Sequence, residues 1–288
     1  MEYKEIIDYH YTTINKYTWY PEQYNKKMRI LRTIHNAGFF SCCSIRLLDV
    51  MVYFNQNSGL PDILDSTEQF GLYKAYSQQN LIPLYFMEKD DVAIPYIRRV
   101  EMTYAKEEPQ FSDYKQICFT DTIPFIEKYF TPSYTVGDFA YMLREKYELD
   151  YENTCAVFYR GNDKNRETTI ASYKVFIDKA REIKQQNPAV KFLVQPDETE
   201  FLIEFCKAFP EDTIWFTETP HMPKKDSCMF FELPQADRAA YGAKYFSAVL
   251  VLSRCKHMII HSGNGAFWSV LYRGNTDNVH QFLNNKWL

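Results

Sequence analysis

Cys155-Ala156-Val157-Phe158-Tyr159-Arg160-Gly161-Asn162-Asp163-Lys164-Asn165-Arg166-Glu167 passes from five apolar residues straight into a loop of charges and amides. An apolar run this short, bounded by a polar turn, reads as a buried strand. A polar amphipathic pattern follows from Thr168 to Gln186 and is closed by Asn187-Pro188, the mark of a helix that stops. Outward from there the alternation repeats. Lys191–Gln195 is the next strand, Pro196-Asp197-Glu198-Thr199 opens a helix to Ala208, and Thr213–Phe216 is a third strand. Arg238–Ser253 is a long helix, His257–His261 a fourth strand, and Ser262-Gly263-Asn264-Gly265 turns into the helix Ala266–Tyr272. Strands alternating with helices predict an α/β chain with a doubly wound parallel sheet, whose ligands sit beyond the carboxyl ends of the strands.

The first half repeats the pattern more faintly. Phe39–Cys43 reads as a buried strand, Ser44–Asn55 as a helix with Ile45, Leu48, Met51 and Val52 on one face, and Leu60–Leu64 as a strand ending at Asp65. Leu81–Met87 and Gln116–Thr120 are further strand candidates. The turn Thr131-Pro132-Ser133 precedes a helix over Val136–Tyr147 that can bridge two lobes. The expected fold is therefore two Rossmann-like α/β lobes, residues 1–135 and 136–288, with a cleft between them and the last helix packing back on the first lobe.

With 288 residues, 46% of them hydrophobic, the chain can bury a large core. A net charge of −4 with scattered basic residues lacks the stripe that nucleic acid requires, so no nucleic-acid partner is expected. Met1-Glu2-Tyr3-Lys4-Glu5 is not followed by an apolar leader, and no run of about 18 apolar residues predicts a membrane span. The expected location is cytoplasmic. The seven cysteines form no C-x-x-C pair and read as reduced thiols. The 23 tyrosines and 22 phenylalanines are mainly core, with enough left over to stack on sugar faces.

The loop after Tyr159 places Arg160 at the carboxyl edge of its strand, where a guanidinium can clamp a diphosphate with two parallel hydrogen bonds. Alone, such a loop is as readily a solvated turn. The turn Ser262-Gly263-Asn264-Gly265 reaches the same edge, and small residues there let backbone N–H groups and a helix's positive end approach an anion. A packing role for those glycines stays open, and so does a choice for Asp197 between capping a helix and ordering the loop or a ribose. The chain has no Asp-x-Asp, the usual carboxylate pair for a metal-bridged diphosphate, so no metal and no cofactor are expected. Cationic side chains and helix dipoles would neutralise the leaving group.

Three segments in order, Val157–Lys164, Phe192–Thr199 and Leu252–Ser262, resemble the motifs of the fucosyltransferase superfamily that includes the α1,6- and protein O-fucosyltransferases. Gly38–Ser44 and the helix after it are similar to the first strand, glycine loop and helix of that superfamily. The resemblance implies a GT-B-like, inverting, metal-independent glycosyltransferase. It makes Arg160 the diphosphate-binding arginine, with Asp163 and Lys164 ordering the donor loop, and it places Glu167 within one residue of the α1,6 branch's catalytic carboxylate. Asp197 matches the loop acid of the second motif, and Ser262, Gly263 and Asn264 lie at the phosphate-contacting turn of the third. Gly161 stands where many relatives carry a second arginine. Phe158 and Ala248 stand where relatives place a histidine and an aspartate on guanine; Phe158 can stack on a base, but neither residue reads guanine's hydrogen-bonding edge. The donor is thus open between a UDP-sugar such as UDP-xylose and GDP-fucose, and the acceptor is an oligosaccharide or glycoprotein glycan. With the missing leader, the resemblance points to a cytosolic enzyme of a microbe or a large DNA virus.

The expected reaction is a single displacement, in which a carboxylate takes the proton of an acceptor hydroxyl as the nucleoside diphosphate leaves. Glu167 is the first candidate base, and Asp65 and Glu68, at a first-lobe strand end, are its rivals. A hydrolase built on His261 and Ser262 lacks the Gly-x-Ser-x-Gly elbow. The alternative from a different class is a non-catalytic glycan- or nucleotide-binding module of the same fold.

Overall fold

The computed structural model describes residues 28–94 and 109–288, with all side chains in those ranges except Asp163 and Phe230. The start of the chain, including Met1–Glu5, lies outside the described residues. The first half opens with strand β1 (Ile30–Arg32), helix α1 (Phe39–Asn57) and strand β2 (Ile63–Asp65), in which β1 and β2 pair in parallel. The expected strand at Phe39–Cys43 is thus the first turn and a half of α1. A short apolar run reads the same in a buried helix as in a buried strand, and α1 is buried nearly all round, from Phe39 and Phe40 through Leu47 and Val50 to Phe54. The parallel strand that precedes it is β1.

A single helical turn, Ile82–Tyr85, occupies most of the expected strand Leu81–Met87, because Asn80 Oδ1 accepts from Ile82 N at 3.1 Å and Pro83 fits the first turn. Only Phe86–Met87 (β3) is extended, and it pairs antiparallel with Thr131–Pro132 (β4). The expected strand Gln116–Thr120 is likewise absent: a 3₁₀ turn, Tyr114–Gln116, runs into helix α2 (Phe119–Tyr129). Asp113 caps that turn by accepting from Lys115 N. Helix α3 (Tyr134–Lys146) starts where Ser133 accepts from Val136 N.

The second half follows the expected order. It comprises β5 (Thr154–Phe158), α4 (Tyr173–Gln186), β6 (Lys191–Val194), α5 (Thr199–Ala208), β7 (Thr213–Ile214), α6 (Arg238–Arg254), β8 (His257–His261) and α7 (Asn264–Arg273). The chain then adds β9 (Val279–Leu283) and β10 (Lys286–Trp287), which sequence periodicity did not separate from a tail. The sheet runs β10-β9-β8-β5-β6-β7, parallel throughout except for β10. Asn284 and Asn285 both take left-handed φ (49° and 61°), the geometry of a two-residue hairpin turn between β9 and β10.

Alternate residues of β5 face different cores. Cys155 and Val157 join Phe176, Ala180, Phe201 and Phe205 of α4 and α5 on one side. Ala156 and Phe158 join α6 and α7 on the other, and that cluster continues without a break into Phe39, Leu47, Val50 and Phe86 of the first half. Burial on both faces explains why β5, β6 and β8 are continuous apolar runs. Arg46 is buried in the first half, where its guanidinium donates to Ser66 Oγ and Tyr129 O and lies 4.8 Å from the Phe130 ring. Burial lowers its pKa to about 10, which leaves it charged at neutral pH.

Asp49 of α1 is also buried, and burial pushes its carboxyl up to about 8. In the unfolded chain an aspartate ionises near ~3.9. Between those two values the unfolded state sheds the proton first, so stability falls as pH rises from about 4 and levels off above about 8. Asp49→Asn, which cannot ionise, is expected to match the parent near pH 4. At pH 8 it should exceed the parent by up to about 5 kcal/mol in urea unfolding.

Candidate functional site

Arg160 follows the carboxyl end of β5, and Asp197 follows that of β6, the strand paired beside it. Asp197 Oδ2 accepts from Arg160 Nε and Oδ1 from Gly161 N, each at 2.8 Å. The carboxylate therefore fixes both the guanidinium and the backbone that follows it. Asp197 is not a helix cap, since Glu198 is the residue preceding α5. Burial pushes the Asp197 carboxyl up against the pull of Arg160, as expected of an ion pair held largely out of water.

Glu198 is fully buried and accepts from Asn162 N at 2.8 Å and from Tyr173 Oη at 2.6 Å. A Cβ on Gly161 would lie 1.8 Å from Glu198 Oε1. This is the physical reason that glycine rather than a second arginine stands at 161: the space beside the backbone is taken by a carboxylate.

The loop continues as a 3₁₀ turn, Asn162–Arg166. It aims Lys164 at Glu167, with Nζ 2.5 Å from Oε2. Lys164 Nζ also donates to Gln110 Oε1 at 3.3 Å, and the same oxygen accepts from Asn264 N at 3.1 Å. Residues 168–172, expected as the start of a helix, stay irregular. Ala171 N donates to His261 Nε2 at 3.3 Å and Ala171 O accepts from Tyr159 Oη at 2.8 Å, which hold the segment across the strand ends. Burial takes the His261 imidazole down to about 4, so it is neutral and structural near pH 7.

The turn after β8 is tied down on both sides. Ser262 Oγ donates to Phe282 O and accepts from Gln281 Nε2, and Tyr114 Oη accepts from Gly263 N. Asn264 Oδ1 accepts from Ser44 Oγ, which in turn accepts from Trp268 Nε1, so α1 and α7 are joined by hydrogen bonds at their starts. Gly265 is required here: a Cβ would meet Tyr245 Oη at 2.5 Å and the Phe158 ring at 2.9 Å.

These elements enclose a cavity of about 360 Å³. Its wall includes Phe158, Arg160, Lys164, Glu167, Asp197 and Asn264 of the candidate residues, together with Gly38–Ser41 at the start of α1. Gly263 lies behind Lys164, to whose Cε a Cβ on the glycine would come within 3.4 Å. The Ser262 side chain turns towards β9 instead. Asp65 is not on the wall either: it pairs with Arg32 at 3.0 Å and accepts from Thr67, while Glu68 lies 3.7 Å from Arg32. Burial raises the Asp65 carboxyl, but Thr67 and Arg32 outweigh it and keep it below the ordinary range. The Asp163 side chain lies outside the described residues. Among the described residues no cluster of three or more His, Cys, Asp or Glu is placed to hold a metal ion, and no helix is long and apolar enough to cross a membrane.

Sequence reasoning missed Tyr73, Gln110, Tyr241 and Tyr245, which also line the cavity. Tyr241 and Tyr245 sit four residues apart on α6 with rings 2° from parallel, and Arg160 Nη1 donates to Tyr245 Oη at 3.5 Å. Their spacing was a visible signal, since positions i and i+4 share a helix face. Gln110 gave none, being in an irregular segment.

The described residues form a mixed α/β chain around a sheet that is parallel except for β10, and its fold is similar to the GT-B-like fold of fucosyltransferases. Among solved structures, it is similar to the NodZ alpha-1,6-fucosyltransferase soaked with GDP-fucose, at a TM-score of 0.57 and 13% identity over 91% of this chain and 99% of that one. The same enzyme co-crystallized with GDP gives 0.57 at 12% identity, over 91% and 98% of the two chains. Fucosyltransferase NodZ from Bradyrhizobium gives 0.56 at 12%, again over 91% and 98%. No protein-family model matches the chain, and no curated protein matches it.

Proposed function

We propose that the chain is an inverting glycosyltransferase that moves a sugar from a nucleoside-diphosphate donor to a glycan hydroxyl without a metal ion. One observation carries the proposal: Arg160, Lys164 and the starts of α1 and α7 line the same cavity, around the space a pyrophosphate would fill. Positive helix ends and a guanidinium stabilise charge that develops on a leaving diphosphate. GDP and GDP-fucose are named with the similar NodZ structures, which supports a nucleotide-sugar donor. Both GDP-fucose and a UDP-sugar such as UDP-xylose remain in the proposal. Phe158 offers a ring to a base, and Gln195 and Thr219 add polar atoms to the same wall. In this scheme residues 136–288 hold the donor and residues 1–135 supply the opposite wall, in a cytoplasmic enzyme.

In the displacement, Glu167 takes the proton of the acceptor hydroxyl, that oxygen bonds to the anomeric carbon, and the carbon–oxygen bond to the diphosphate breaks. Lys164 holds the Glu167 carboxylate in the cavity wall. The test is a thermal-shift panel of GDP, UDP, CDP and ADP in EDTA, followed by their sugars. At saturation one nucleotide is expected to raise Tm by roughly 5 °C, and its sugar to be turned over with EDTA still present. Binding without turnover would make the chain a non-catalytic module, and no shift with any nucleotide would overturn the proposal.

A further inference from the structure

A second depression, about 540 Å³ and open to solvent, is lined by the later part of the loop after β5. Its wall is Phe111, Asn165, Arg166, Glu167, Thr168, Thr169 and Asn284. Among the described residues, Glu167 is the one that lines both this groove and the cavity of Arg160. Resting on the function proposed above, we propose that this groove is the acceptor subsite and that it takes a neutral oligosaccharide.

The geometry follows from the reaction. A base in a single displacement must touch the acceptor's hydroxyl on one side while the donor's anomeric carbon lies within reach on the other. A carboxylate in the wall shared by two cavities meets that demand. The bond that forms joins the acceptor oxygen to the anomeric carbon, the bond that breaks releases the diphosphate, and the proton passes to Glu167.

Groove chemistry selects the class of acceptor. Amides and hydroxyls of Asn165, Thr168, Thr169 and Asn284 can exchange hydrogen bonds with sugar hydroxyls, and Phe111 brings a ring to the same wall. Its two charged side chains are already engaged, Arg166 with Asp226 and Glu167 with Lys164, so the groove offers no unbalanced charge to an ionic acceptor. The open shape admits a chain longer than one sugar. Two departures from the sequence expectation build it: residues 168–172 stay irregular, and the β9–β10 hairpin carries Asn284 to its rim.

The test uses the full chain, the nucleotide sugar found in the thermal-shift panel, and a pool of neutral, fluorescently labelled di- to tetrasaccharides as acceptors. Transfer to at least one of them is expected. Asn284→Trp, which fills the rim, should raise that acceptor's KM about tenfold or more, with the nucleotide's Kd within about twofold of the parent. Thr169→Arg, at another position of the groove wall, should do the same, which guards against one variant that misfolds. Transfer with an acceptor KM unchanged in both folded variants would overturn the groove and leave the glycosyltransferase proposal standing. Donor hydrolysis by the parent with no saccharide in the pool accepting would overturn the acceptor class. If no nucleotide binds, both proposals fall together.

Discussion

Arg160→Ala is expected to lower turnover by about 10²- to 10³-fold, the usual loss when one charge contact to a developing anion is removed. The structure adds a second effect. Asp197 would keep its hydrogen bond from Gly161 N but lose the guanidinium that balances it in a part-buried position. Stripping one partner from a fully buried pair costs about 3 to 5 kcal/mol; this pair is part-buried, so the loss is smaller, and it is offset in part as the carboxyl takes up a proton. The variant should therefore unfold earlier in urea as well as turn over slowly. Arg160→Lys separates the two losses: it keeps a positive charge near Asp197 but has no fork for the diphosphate. Stability should return further than activity. If donor affinity, rate and stability all survive Arg160→Ala, the cavity has another purpose.

Glu167→Gln is expected to reduce transfer by about 10²- to 10⁴-fold, the contribution of one positioned base, with nucleotide affinity little changed. The amide keeps the size and one acceptor oxygen, so Lys164 can still be held by Glu167's replacement and by Gln110. Initial rates with donor saturating, and a separate titration of the nucleotide, distinguish the two quantities. Undiminished transfer would move the base elsewhere. Asp65 is poorly placed to inherit the role, being paired with Arg32 away from the cavity.

The second half was legible because its strands are buried on both faces. Val157, Leu193 and Ile259 sit in runs that carry no competing period, and each run ends in a loop rich in turn residues. The first half misled for the same reason in reverse. α1 is enclosed on nearly all sides, so its apolar start has no polar face to reveal a helical period. β9 and β10 are too short and too near the end to stand out, though the pair Asn284-Asn285 is a hairpin signal. Arg160, Lys164 and Asp197 could be placed at one sheet edge from their position after strands. The partners that hold them could not, since Glu198, Gln110 and Tyr245 meet the loop only through tertiary packing. The departure at Gly161 was visible in the sequence, but its cause was a carboxylate 37 residues away in the chain.

The unbroken aromatic cluster has a bearing on how molecules enter and leave. Phe39 and Phe40, at the head of the first long helix, pack against Phe246 and Trp268 of the second half at centroid separations of 5.6 to 6.1 Å. A clamshell swing about the middle of the chain would pull these rings apart and wet the interior. Traffic through the cavity is therefore expected to depend on local rearrangement of the rim, while the two halves travel as one body.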